Sequence, residues 1–69
     1  MKHDVSKRYE AMDPRRAESD ADGGHLMYLT WSEQQSRWFG NFCDFATLPA
    51  ALRELRRYYG REVVIREAA

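Results

Sequence analysis

The run TLPAALRELRRYYG, residues 47 to 60, leaves little choice of structure. The Thr47 hydroxyl can accept from a backbone N–H three positions on, which is what a helix start needs. Pro49 falls in the first turn, where a missing N–H loses nothing. Leu48, Ala51, Leu52, Leu55 and Tyr59 then recur at spacings of three and four, forming one apolar face of an α-helix. Arg53, Arg56 and Arg57 fill the opposite face and suit the negative end of the helix dipole. Gly60 is placed to end the helix as a left-handed C-cap.

Upstream, His25 to Trp31 is rich in strand formers, with Leu26, Met27, Tyr28, Leu29 and Thr30 between them. Ser32 to Gln35 is polar and reads as a hairpin loop. Arg37 to Ala46 reads as a second strand containing Trp38, Phe39, Phe42 and Phe45. Gly40 and Asn41 interrupt it, and a glycine there suggests a bulge or the close approach of another backbone. Downstream, Glu62 to Arg66 reads as a short strand centred on Val63, Val64 and Ile65. The expected fold is therefore α+β: a small three-stranded sheet with one helix packed on one face, in the order β-β-α-β.

Residues 1 to 24 differ in kind. Charged residues alternate there, and Tyr9 is the only one of the nine aromatic residues in that span. An Asp-Gly-Gly turn signal closes it at Asp22 to Gly24. Val5, Tyr9 and Met12 fall at helical spacing, Asp4 could cap that turn and Pro14 would end it. The expected organisation is thus a polar N-terminal arm over 1–24, holding a short helix, followed by a single ββαβ domain over 25–69.

One helix covers one face of a sheet, and strand side chains alternate between faces. Met27, Leu29 and Trp31 share one side of the first strand; Leu26, Tyr28 and Thr30 share the other. A continuous second strand would put Trp38 and Phe42 on one side, with Phe39, Cys43 and Phe45 on the other. Both sides carry large apolar groups, so aromatics should remain uncovered whichever side meets the helix. An arm folded over that face, a second copy of the chain or a different protein would each bury them. Tryptophan, tyrosine and arginine dominate interface hot spots. Trp38, Phe42 and Tyr28, with Arg53, Arg56 and Arg57 on the helix, are the candidate partner-binding residues.

Charge and motif content narrow the function. Lysine plus arginine equal aspartate plus glutamate at 11 each, so the net charge is zero and no basic excess points to nucleic acid. The alternative remains a small nucleic-acid-binding protein that lays Arg53, Arg56, Arg57 and Arg61 along phosphates, although Glu54 interrupts that stripe. No apolar run approaches the roughly 20 residues of a membrane span. Lys2 and His3 precede no apolar segment, unlike a secretory signal. A cytoplasmic protein is expected. Cys43 is the single cysteine, which excludes an intramolecular disulfide and suits a small buried hydrophobe. His3 and His25 with Cys43 do not make a zinc site; Met1-Lys2-His3 has only the generic amino-terminal pattern for Cu(II) or Ni(II).

No nucleophile motif, phosphate loop or dinucleotide fingerprint is present, and so small a core can hardly spare a catalytic pocket. No enzyme activity and no cofactor are expected. The expected function is a small protein-binding module, acting as a homodimer, that blocks or modulates a larger protein stoichiometrically. Size and composition are analogous to those of short accessory proteins of phages and mobile elements.

Overall fold

The computed structural model describes residues 4–16 and 23–68. Among these, one α-helix and five strands form: β1 (Tyr9–Met12), β2 (His25–Ser32), β3 (Arg37–Phe39), β4 (Asp44–Phe45), α1 (Leu48–Tyr59) and β5 (Val64–Glu67). Every strand pairing is antiparallel, and the sheet runs β4-β3-β2-β1-β5. The class is α+β with a single α-helix among the described residues, but the sheet has five strands instead of the expected three.

The first correction concerns the arm. Val5, Tyr9 and Met12 do not share a helix. Asp4 instead closes a turn, its Oδ1 accepting from the Ser6 N–H at 2.9 Å, and the chain enters β1. Tyr9 pairs with Leu29 on one side and Glu67 on the other. A strand here satisfies backbone groups of β2 and β5 as well as its own, whereas a helix would leave both neighbours with unpaired edges. Among the described residues the final strand pairs with β1 and with neither member of the expected hairpin. The expected boundary at 24/25 therefore falls inside the sheet.

The second correction concerns the long second strand. It breaks into β3 and β4 around Gly40–Cys43, where the Gly40 N–H donates to the Cys43 carbonyl at 2.9 Å. A Cβ on Gly40 would stand 2.6 Å from the Met27 sulfur and 3.3 Å from that of Cys43. The close neighbours of Gly40 are thus side chains and not the other backbone expected, and the chain leaves the strand at this point.

The helix forms as its pattern dictates. Thr47 Oγ1 accepts from the Ala50 N–H at 3.1 Å, a cap worth about 1 kcal/mol. Leu48, Ala51 and Leu55 are buried; Leu52 is only partly so. At the far end Gly60 has the expected positive φ, 126°, but its ψ of 161° is extended and not left-handed helical. The helix face meets Tyr9, Ala11, Met27, Leu29, Trp38 and Phe45 in one core, with Val63 beneath the last strand.

A polar latch fastens the segment after β1 to the helix end. Asp13, 1% exposed, receives two hydrogen bonds from the Arg15 guanidinium, at 3.2 and 3.0 Å, and one from the Arg15 backbone N–H at 3.0 Å. Arg15 Nη2 also donates to the Tyr59 carbonyl at 3.3 Å, satisfying one of the carbonyls a helix leaves unpaired at its C-terminus. The Arg15 guanidinium beside it holds the Asp13 carboxyl below the ordinary aspartate value.

Candidate protein-binding cleft

The candidate residues separate in space. Trp38 is 3% exposed, in the core, packed edge-on to Tyr9 and Trp31 at centroid distances of 5.5 Å. Phe42 is 101% exposed. The expectation that these two side chains point to one side fails because strand alternation ends at Phe39 and Phe42 sits at the tip of the turn that follows.

Tyr28 lies on the sheet face away from the helix, beneath the Arg8 guanidinium at 4.1 Å and against His25 at 4.5 Å. That face also differs from expectation. Both tryptophans turn to the core side, leaving Tyr28, Thr30 and Phe39 among charged neighbours. His25 Nδ1 donates to Glu10 at 2.6 Å and Arg66 Nε to its other oxygen at 3.2 Å. The His25 contact foremost, then Arg66, hold the Glu10 carboxyl below the ordinary glutamate value. Across the sheet Arg37 pairs with Asp44. These paired charges make a wetted face, the usual outer side of an antiparallel sheet.

The helix arginines are exposed but do not act as one stripe. Arg56 Nε donates to the Val63 carbonyl at 2.9 Å and so ties α1 to the approach to β5. Arg57 lies 3.7 Å from Glu54 and Arg61 3.8 Å from Glu62. Arg53 has no charged partner among the described residues.

A different surface brings apolar groups together. Between α1 and the Gly40–Cys43 turn opens a cleft of about 620 Å³. Buried Met27 and Leu55 lie at its base; Phe42 and Tyr58, the latter 82% exposed, stand at its mouth. Cys43 lines it, half-buried, with its thiol 4.0 Å from the Met27 sulfur. The charged side chains lining it, Asp44 and Glu54, are both acidic. The expectation that so small a core can hardly spare a pocket applies to its interior, and this cleft lies beside it.

Each wall has a local origin. Gly40 leaves room for the Met27 and Cys43 sulfurs where β3 ends, and the turn that follows presents Phe42. Tyr58 follows Glu54 by one helical turn, on the ridge next to the buried stripe of Ala51 and Leu55. Tyr58 is not among the residues nominated from the sequence. The signal available was a large ring adjoining the apolar stripe without belonging to it.

Among the described residues no cluster of three or more His, Cys, Asp or Glu side chains could hold a metal ion. The Met1-Lys2-His3 pattern lies outside them. No helix among them is long and apolar enough to cross a membrane. No protein-family model matches this chain, and no curated protein or solved structure matches it either.

Proposed function

We propose that this chain is a small non-enzymatic protein-binding module that blocks or modulates a larger protein by stoichiometric contact, and that the contact is made at the cleft beside Phe42. One observation carries the reading: a wholly exposed phenylalanine and a largely exposed tyrosine stand at the mouth of the same apolar cleft. Leaving an aromatic ring in water forgoes about 1.5–3 kcal/mol of burial. Single exposed apolar residues are ordinary, but a pair around a concavity marks an interaction surface. Of the residues nominated from sequence, Phe42 stays in the proposed contact and Trp38 serves the core.

The test is affinity capture from source cells with the parent chain, Phe42→Ala and Tyr58→Ala. A protein retained by the parent and lost by both variants, with circular dichroism unchanged, is the expected result. Retention indifferent to both changes would refute this use of the cleft.

The nucleic-acid reading draws on exposed Arg53 and Arg57 and is the weaker, because Arg56 is engaged with Val63 and acidic partners lie near Arg57 and Arg61. It requires binding whose log-log salt slope is about −0.9 for each phosphate contacted. We expect no specific complex with DNA or RNA at about 0.15 M salt, a level at which only sites with many phosphate contacts hold.

A further inference from the structure

We infer that, when no larger partner is bound, the cleft is filled by a second copy of this chain, in a two-fold dimer that covers Phe42 and Tyr58. The inference rests on the reading of the cleft as the binding surface and adds an occupant that competes for it.

Charge supplies the first argument. The cleft carries the half-exposed carboxylate of Glu54, 3.7 Å from Arg57; Asp44 also lines it, with its carboxylate engaged by Arg37. Close to Tyr58 in sequence, the Arg57 and Arg61 side chains are 77% and 94% exposed, in ion contacts no closer than 3.7 and 3.8 Å. The patch thus has an apolar centre with one loosely held acidic group, Glu54, on it and basic groups beside it. A two-fold interface uses the same patch twice, so each chain's arginines can be laid on the other's carboxylates. The net charge of zero removes general repulsion between copies.

Area supplies the second. A standard interface takes about 800 Å² from each partner, roughly a sixth of this chain's 5048 Å². Two exposed aromatic rings contribute about 150–250 Å² each, and the cleft walls and arginine stems adjoin them. A chain of 69 residues has a small core, and oligomerisation is one of the few supports open to it without a disulfide.

Sedimentation equilibrium of the full chain at micromolar to submillimolar concentration tests this. The parent should give twice the 8.2 kDa chain mass. Phe42→Ala and Tyr58→Ala should each weaken dimerisation by about 30-fold or more, the hot-spot scale, while circular dichroism is unchanged. Glu54→Arg should weaken it too, whereas Glu33→Arg, in the hairpin loop away from the cleft, should not. A monomer at every concentration overturns the inference and leaves the larger-partner reading to the capture experiment. A dimer indifferent to Phe42 and Tyr58, or equally affected by Glu33→Arg and Glu54→Arg, overturns it by placing the interface elsewhere. If the dimer behaves as expected but no captured protein depends on the two rings, the larger-partner reading fails alone.

Discussion

Replacing Gly60 by alanine should be among the most damaging single-methyl additions in this chain. At φ 126° and ψ 161° Gly60 occupies a region that residues with a side chain essentially do not enter. Strain of that kind costs about 1–3 kcal/mol. Restricting the unfolded chain returns about 0.4–1 kcal/mol, leaving a net loss of about 1.3 kcal/mol from the backbone alone. The methyl would also stand 2.6 Å from Arg15 Nη2, displacing the guanidinium from the Tyr59 carbonyl. A domain of this size has about 3–10 kcal/mol in total, and each kcal/mol moves the melting temperature by about 4–8 °C. Thermal melts followed by circular dichroism should therefore fall by on the order of 10 °C. Repeating the change in an Arg15→Ala background removes the collision and should shrink the drop. A Gly60→Ala variant melting at or above the parent would refute the backbone argument; equal drops in both backgrounds would refute the contribution of Arg15.

Three further outcomes follow from the packing. Leu55→Ala, at the base of the cleft and within the core, should cost about 2–5 kcal/mol and leave the chain largely unfolded; a melt within a few degrees of the parent would exclude Leu55 from the core. At concentrations low enough to keep the chain monomeric, Trp38→Ala should cost about 3–5 kcal/mol while Phe42→Ala stays within about 0.5 kcal/mol of the parent, and comparable losses from the two there would contradict their opposite placements. Acid should destabilise the fold through Asp13 and Glu10, whose carboxyls are both lowered, by Arg15 and by His25 with Arg66 respectively. Their contribution is complete above the unfolded values of about 3.9 and 4.3 and is lost as pH falls through the lower folded values. Asp13→Asn should flatten part of that acid transition in a pH titration of stability, and an unchanged profile would show that Asp13 has no share in it.

What could be read from the sequence was local. The α1 boundaries, the Thr47 cap and the hairpin between β2 and β3 each rest on spacing or turn chemistry within a dozen residues. β1 was not legible because its pattern is too short to choose a period. Tyr9 and Ala11 alternate inward around Glu10, yet Val5, Tyr9 and Met12 fit a helix equally well. Pairing with β2 and β5 decides the matter, and those partners are distant in the chain. The site was half-legible for a similar reason. Phe42 was nominated with the wrong companion, since a strand drawn through Gly40 aligns it with Trp38, and only the turn at Gly40–Cys43 swings it toward Tyr58. Arg56 looked like its neighbours Arg53 and Arg57 because its bond to the Val63 carbonyl depends on how the chain returns after Gly60.

The place of β1 between β2 and β5 also sets an order of assembly. Met12 meets Val64 and Tyr9 meets Glu67, so this ladder closes a loop of roughly 50 to 60 residues, at an entropic cost of about 3.5 kcal/mol if formed first. The β1–β2 ladder, with Tyr9 opposite Leu29, spans a much shorter loop, and the β2–β3 hairpin a shorter one still. Early pairing of those three strands, followed by docking of α1, brings Val64 to Glu67 beside their place before they bond. β5 should thus be the last strand to zip and the first to open. Its amides, flanked on one side only, should exchange with solvent sooner than those β1 donates to β2.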